Sequence, residues 1–170
     1  LKFSSFKSTF VNNTALSYKD ADTLIESQNN SGETQNHIQT SLKLLHKFVA
    51  VKFKINIKEL EATKMVEHLM LLYNSTTAET LYNYSKKTIL RTHKQADMEH
   101  LIKNKDSILR NFVSKLNQNA AQYVINANSE VKHEGLGYTF YTHATSPIRR
   151  YVDIINQLNI LRYISSIPLY

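Results

Sequence analysis

The sequence predicts an α+β fold in which helices predominate. Several segments between residues 38 and 126 place apolar side chains at the three- and four-residue spacing of amphipathic helices. A run near the start alternates between apolar and polar residues and is rich in Phe, Thr and Val, which is typical of a strand. A second aromatic and β-branched run follows the glycines at 135 and 137. With 170 residues, 42% of them hydrophobic, the chain has the size and composition of one globular domain.

The first elements are predicted as a strand, a helix and a loop. The alternating run predicts a strand over Phe6–Asn12. Ser17 as N-cap with Asp20 three residues later forms the capping-box pattern, so a helix begins there. The polar stretch over 28–36, with a turn signal at Ser31-Gly32, is expected to be a loop.

Periodicity predicts five further helices. We place them at Ile38–Phe53, from Lys58 into the region of Tyr82, at Gln95–Leu116, at Gln118–Asn126 and from Ser146 onward. The second is expected to be largely buried. No internal repeat and no domain boundary is visible.

Composition excludes some classes of function. The chain has no cysteine, which rules out disulfides, thiolate metal sites and a thiol nucleophile. No apolar run approaches the roughly 18 residues of a membrane span, and the start, at Leu1 rather than Met, lacks a secretory signal. We therefore expect a soluble, intracellular piece of a longer protein, in cytoplasm or nucleus. The net charge of +7 favours a polyanionic partner.

The stretch "TSPIRRYVD" raises an electrostatic question. Ser146 fits an N-cap and Pro147 the first helical position, so Arg149 and Arg150 are expected in the first turn. Cations at the positive end of a helix dipole cost about 0.3–1 kcal/mol, whereas a bound phosphate there would be stabilised by amides and guanidinium together. The alternative is an exposed ion pair of Arg149 with Asp153, four residues later.

These residues resemble a known family. "YTHATSPIRRYVD" is similar to the signature of the RNB family of ribonuclease II, ribonuclease R and the exosome's processive exonuclease. Four further blocks resemble the family in the same order: "FKSTFVNNTALSYKDA", "IKELEATKMVEHLMLLYN", "ILRTH" and "AAQYVINANSEVKHEGLG". Five ordered blocks over residues 6 to about 158 are far more specific than the arginine pair alone.

The resemblance implies both fold and activity. Residues 1–170 would be the C-terminal part of an RNB catalytic domain, with helices packed on a mostly antiparallel sheet. The family hydrolyses single-stranded RNA from the 3′ end to nucleoside 5′-monophosphates with Mg²⁺. The partner is then single-stranded RNA, no membrane is involved, and a monomer is expected; membership of an exosome-type complex stays open, as do RNA preference and processivity.

The resemblance also assigns roles around the signature. Arg149 would be the catalytic cation over the phosphate, while Arg150 and Ser146 would shape the motif or contact the RNA backbone, with helix-start packing as the alternative. Tyr141 and His143 precede the signature helix and would contact RNA, or else be buried and hydrogen-bonded.

Four upstream residues match other family positions. Glu67 would contact ribose hydroxyls, and Asn74 follows it in the same block. Arg91 and His93 would lie near the RNA channel, with an internal salt bridge as the alternative. His133 is expected at the surface, with ordering of the "KHEGLG" loop as the alternative.

The chain departs from the family in several places. The family's metal-binding aspartates lie in a segment upstream of the first matched block, so the ligands of Mg²⁺ are not expected in these residues. Asp20 and Asp22 are not treated as substitutes. A "GALxL" strand pair is almost entirely missing. Ala144 replaces an aromatic residue of the family pattern, and Gln157 and Leu158 stand where "HR" is common. Two alternatives therefore stay open: a degenerate RNB homologue, or a basic helical module, either binding RNA without cleaving it.

Overall fold

The computed structural model describes residues 14–27, 33–85, 88–93, 120–125 and 132–166. Its described elements, in chain order, are α1 (Tyr18–Glu26), α2 (Glu33–Phe53), a 3₁₀ turn (Ile57–Glu59), α3 (Ala62–Ser85), β1 (Ile89–Thr92), β2 (Gln122–Ile125), a second 3₁₀ turn (Glu134–Leu136) and α4 (Tyr151–Ser166). The two strands form one antiparallel sheet. The predicted α+β class with predominant helices is confirmed.

The chain divides into two compact units at the junction of Leu72 and Tyr73. This junction lies inside α3, which contains no Gly or Pro. Because no Gly or Pro marks this junction, the sequence shows no domain boundary at that point. We call the described residues up to Leu72 the first unit and those from Tyr73 onward the second unit.

Local hydrogen bonds define the helix starts of the first unit. The predicted capping box of α1 is confirmed: the Asp20 amide donates to the Ser17 hydroxyl at 3.2 Å, and the Ser17 amide donates to the Asp20 carboxylate at 3.1 Å. The start of α3 is capped from outside the helix, since the Ala62 amide donates to the Asp22 carboxylate at 2.6 Å. The predicted start at Lys58 is wrong, because Ile57–Glu59 form a separate 3₁₀ turn.

Aliphatic side chains form the interior of the first unit. Val49, Ala50, Leu60 and Met65 are buried together. Helix α2 confirms the helix predicted at Ile38–Phe53 but begins earlier, so residues 33–36 are helical rather than loop. α3 is less buried than predicted, because Tyr73 remains 46% exposed.

The second unit contains the sheet, and here one prediction is wrong. The helix predicted at Gln118–Asn126 is replaced at Gln122–Ile125 by β2, which pairs with β1 in the register Ile89 with Ile125. The segment carries Tyr, Val and Ile in succession, residues that favour strands once a partner strand is present. Pairing with β1 therefore overrides the local helical pattern.

Two glycines shape the loop that leads to the signature. A Cβ on Gly135 would lie 2.9 Å from Nδ1 of His93, so the close approach of that ring excludes any side chain. Gly137 has φ of 71°, in the left-handed region that favours glycine. The chain then runs beside β1, where the Arg91 amide donates to the Tyr141 carbonyl at 2.7 Å.

Some predictions fall outside the described residues: the strand at Phe6–Asn12, the turn at Ser31-Gly32 and the helix at Gln95–Leu116. Among the helices that are described, none is long and apolar enough to cross a membrane.

Candidate nucleic-acid interface

A buried carboxylate organises the signature. Asp153 is fully buried and accepts the Ser146 amide at 2.7 Å and Nη2 of Arg150 at 2.8 Å on one oxygen. Its other oxygen lies 2.8 Å from Nε of Arg150, which completes a two-pronged ion pair. Asp153 therefore ties the residue at the start of the "SPIRR" stretch to the one at its end.

The helix start predicted at Ser146 is wrong. Residues 147–149 form a turn, and α4 begins at Tyr151. The Ser146 amide donates to the Asp153 carboxylate. The Arg150 amide donates to the Ser146 carbonyl at 3.1 Å, and this bond closes the turn. Asp153 lies in the first turn of α4, where a negative charge is favourable, so the predicted charge conflict at the helix dipole is absent.

The two arginines have different environments. Arg150 is partly buried, with 20% of its side chain exposed, and is neutralised by Asp153. The predicted alternative named Arg149 as the partner of Asp153; the structure gives that role to Arg150. Arg149 is exposed, and its guanidinium makes no hydrogen bond or ion pair with any residue that the structure describes.

Buried amides hold the extended segment before the turn. Asn74 is fully buried; it donates to the Tyr141 hydroxyl at 3.2 Å and accepts the Ala144 amide at 3.0 Å. Asn156 donates to the Thr142 hydroxyl at 2.8 Å and to the His143 carbonyl at 2.9 Å. Residues 141–144 are thus fixed from both α3 and α4.

Two departures from the family pattern contact each other. Ala144 is fully buried, and its carbonyl accepts from Nε2 of Gln157 at 2.8 Å. A small side chain at one position is matched by an amide that reaches its backbone from the other. Gln157 therefore helps to hold the backbone of the segment at Ala144.

Aromatic rings cluster next to this segment. His133 stacks on His93 with ring centroids 5.4 Å apart and meets the Tyr141 ring edge-on at 5.2 Å. Tyr141 meets His143 at 5.7 Å, and His143 meets Tyr123 of β2 at 5.9 Å. We call these five residues the ring cluster. Tyr141 is buried at 3% exposure, whereas His93 and His143 are partly exposed.

The basic environment of the cluster keeps two of its residues, His143 and His133, neutral. Burial, with the Arg150 and Arg91 guanidinium groups, lowers the pKa of His143 to about 4. Burial and Arg91 also lower the pKa of His133. At neutral pH the positive charge is therefore carried by the arginines.

Arg91 contacts the cluster directly. Its Nη1 lies 3.0 Å from Nε2 of His133, which requires the imidazole nitrogen to accept. The predicted alternative of an internal salt bridge for Arg91 is thus replaced by a bond to a neutral ring. The prediction of His133 at the surface is wrong, since it is only 5% exposed.

Glu67 lies in the first unit, whereas the contacts described so far belong to the second unit. Its exposed carboxylate pairs with Lys64 at 2.7 Å, and this hydrogen bond lowers the pKa of Glu67. Of the predicted site residues, the second unit therefore brings together Asn74, Arg91, His93, Tyr141, His143, Ser146, Arg149 and Arg150. Their contacts with RNA remain predictions.

The described residues do not fit a magnesium ion. Within the described part of the chain no three His, Cys, Asp or Glu side chains group closely enough to hold a metal. Asp22 caps α3, and Asp153 is used by Arg150 and the Ser146 amide. No step of a reaction is therefore derived from these carboxylates as metal ligands.

Sequence reasoning missed the residues that hold the site: Thr142, Asn156, Tyr123 and the buried role of Asp153. One signal was present, because Asp153, Asn156 and Gln157 stand at i, i+3 and i+4 and so share one face of the helix. That this face is buried depends on the segment folding over it. The signal for Tyr123 was hidden by the wrong helix prediction.

Comparison with known proteins places this chain. A family model, the RNB domain, matches residues 1–166. The chain belongs to the RNB family. The RNB resemblance of the five sequence blocks is thereby confirmed.

Among RNB relatives, Ribonuclease R of Helicobacter pylori is 33% identical over 129 positions, covering 57% of this chain and 20% of the relative. Exosome complex exonuclease RRP44 of Homo sapiens is 26% identical over 218 positions, covering 91% of this chain and 22% of the relative. The chain thus spans about a fifth of the length of these relatives. Because 218 aligned positions exceed the 170 residues of the chain, the human protein contains internal segments that this chain lacks.

A solved structure shares the fold. The structure of yeast Ssd1, described as a pseudonuclease, superposes with a TM-score of 0.58 at 19% identity, covering 91% of this chain and 26% of that one. At this identity the likeness concerns the fold alone.

Proposed function

We propose that this chain is the C-terminal part of the catalytic domain of a 3′–5′ exoribonuclease, which binds single-stranded RNA and hydrolyses it to nucleoside 5′-monophosphates. The observation that carries the proposal is the unequal treatment of the two signature arginines. Arg150 is locked by Asp153, while Arg149 is presented to solvent without a partner among the described residues. A guanidinium held out by a rigid turn is suited to a phosphate.

The geometry supports a positioning role for the surrounding network. Asn74 and Asn156 fix residues 141–144, and Asp153 fixes the turn that follows. Arg149 therefore leaves a preorganised backbone, and a preorganised cation over the phosphate stabilises charge that develops in the transition state. The family's Mg²⁺ would add positive charge at the scissile phosphate, held by aspartates that the family pattern places upstream of the first matched block.

The ring cluster supports binding of a single strand. Partly exposed His93 and His143, the exposed Tyr123 and the nearby Arg91 combine π-faces with positive charge. Such surfaces bind single-stranded RNA by stacking and backbone contacts without reading sequence. Buried Tyr141 then acts as support for the neighbouring rings.

A second candidate function is RNA binding without cleavage. It is favoured by the engagement of Asp22 and Asp153 in structural contacts and by the internal segments that the chain lacks. A basic helical module accounts for the net charge of +7 but not for the family match.

The test uses the complete natural protein with 5′-labelled single-stranded RNA and Mg²⁺. Arg149→Ala is expected to lower turnover by about 10²-fold or more, because a transition-state contact is lost. RNA affinity should fall only modestly, with the slope of log affinity against log salt reduced by about 0.7, the value for one phosphate contact on a single strand. The 170-residue chain alone is expected to show little or no nuclease activity.

Arg162→Ala is the matched control, since Arg162 is an exposed arginine on α4 and its loss changes net charge equally. It should leave turnover unchanged. Equal turnover of Arg149→Ala and the parent would refute the catalytic role. A complete protein that binds RNA with strong salt dependence and never hydrolyses it would establish the second candidate instead.

A further inference from the structure

The hydroxyl of Tyr123 makes a contact that is separate from the contact of its ring. Its hydroxyl lies 2.6 Å from Nδ1 of His143, although the two residues are 20 positions apart in the chain. The rings also meet edge-on at an angle of 67°. Tyr123 stands on β2, whose pairing with β1 fixes its position, so the contact joins the sheet to the signature segment.

The contact selects one form of the imidazole. A phenol donates hydrogen bonds better than it accepts them, because its oxygen lone pair is delocalised into the ring. The Tyr123 hydroxyl therefore donates to Nδ1, and a neutral imidazole that accepts at Nδ1 carries its proton at Nε2. Tyr123 stays protonated in this role, since burial raises the pKa of its hydroxyl.

The other ring nitrogen is available. Nε2 of His143 makes no hydrogen bond with any residue in the described part of the chain, and it is not among the buried polar atoms left without a partner. An Nε2–H group is therefore open to a ligand at the surface. Its neighbour Arg91, which is bonded to a neutral imidazole, attracts an anion to the same place.

We infer that Tyr123 is a positioning residue, which holds His143 in the Nε2–H tautomer and thereby presents a neutral N–H donor to the backbone of bound RNA. The inference rests on the proposed RNA-binding function of this site. It assigns recognition of phosphate or ribose oxygens to a donor that carries no charge, beside arginines that carry the charge.

A neutral donor suits these surroundings. His143 faces Arg150, Arg91 and His133, which oppose a further positive charge, and only Asp153 favours it. Burial adds to this opposition, so the pKa of His143 lies at about 4 and the ring stays neutral across the physiological range. The contribution of His143 to RNA affinity is therefore expected to be constant from about pH 5.5 to 8.

The first experiment measures the tautomer in the 170-residue chain without RNA. Long-range ¹H–¹⁵N NMR of the imidazole should show protonated Nε2 and unprotonated Nδ1 for His143. Tyr123→Phe removes only the hydroxyl, so it should produce a mixture of tautomers and raise the pKa of His143. Tyr163→Phe, which alters a tyrosine that packs on Tyr84, is the control and should change neither. A proton on Nδ1 in the parent, or an unchanged tautomer in Tyr123→Phe, would overturn the inference.

The second experiment measures the affinity for a fluorescent single-stranded oligoadenylate. Tyr123→Phe should weaken binding by about 2- to 10-fold, the worth of one hydrogen bond, without changing the salt slope, because no charge is lost. His143→Gln carries a permanent amide N–H near the place of Nε2–H, so in that background Tyr123→Phe should have no further effect. Additive losses would contradict the positioning role.

The two failures are distinguishable. If the parent chain does not bind the oligonucleotide, the proposed function fails and the RNA-facing part of the inference falls with it, while NMR still decides the tautomer. If the parent binds and the tautomer changes in Tyr123→Phe without loss of affinity, the inference alone is overturned.

Discussion

The two units differ in the types of side chain that fill their interiors. The first unit buries Val49, Leu60 and Met65 and excludes water by apolar contact. Among the described residues, the second unit also buries Leu81 and Leu90, but four of its fully buried side chains are polar and hydrogen-bonded, namely Asn74, Thr142, Asp153 and Asn156. Each of these four makes a hydrogen bond to or within residues 141–153, the signature segment.

This difference separates stability from placement. Apolar burial stabilises a unit in proportion to area and tolerates small shifts of side chains. Hydrogen bonds depend on distance and angle, so a polar interior admits one backbone conformation and penalises others by unpaired groups. The polar interior holds the residues that carry Arg149 and His143, the guanidinium and the imidazole that we propose to contact RNA.

The largest expected effect on stability comes from the buried ion pair. Asp153→Asn leaves the partly buried Arg150 without its carboxylate, so the free energy of unfolding should fall by about 3–5 kcal/mol in urea denaturation. Asp20→Asn, at a fully exposed capping carboxylate, should cost far less, because solvent screens that charge. Similar losses in both variants would mean that the polar interior carries no special weight.

A matched pair of substitutions compares the interiors directly. Asn74→Leu preserves volume but strands the Tyr141 hydroxyl and the Ala144 amide, so it should cost about 1–3 kcal/mol for each buried group left unpaired. Met65→Leu in the apolar interior should cost less than about 1.5 kcal/mol. Thermal and urea unfolding would measure both, and a smaller loss for Asn74→Leu would reverse the comparison.

The smallest expected effect is a pH dependence from His143. Well above pH 6.5 the His143 ring is neutral in both the folded and the unfolded state, so its titration does not lower the free energy of unfolding. Between pH 6.5 and about 4 the unfolded chain takes up a proton that the folded chain refuses, because the pKa of His143 in the fold is about 4, so stability falls as pH is lowered. Solvent at the partly exposed ring screens this effect to the order of 1 kcal/mol.

His143→Asn should remove that part of the acid loss while the contribution of His133, whose pKa is also lowered, remains. Unfolding free energies at pH 7 and pH 5 would measure the difference. If the free energy of unfolding falls equally between pH 7 and pH 5 in His143→Asn and in the parent, His143 has an ordinary pKa in the fold.

Elements whose contacts are local were predicted well. The capping box at Ser17 and Asp20 and the body of α2 follow from residues within a few positions of each other. β2 was predicted as a helix, because its partner strand begins at Ile89 and no local pattern reports such a pairing. The start of α4 was placed too early, because Asp153 reaches back over seven residues to take the Ser146 amide.

For the site, the sequence alone indicated the family and the two signature arginines. Side-chain types at helical spacing and ordered motifs are properties of neighbouring residues, so they can be read without coordinates. Only the tertiary structure decided that Arg150 is paired while Arg149 has no partner among the described residues, and that His143 is neutral with Tyr123 on its Nδ1. Ion pairing, burial and tautomer depend on groups that folding brings together from distant parts of the chain, and the charge of the site follows from them.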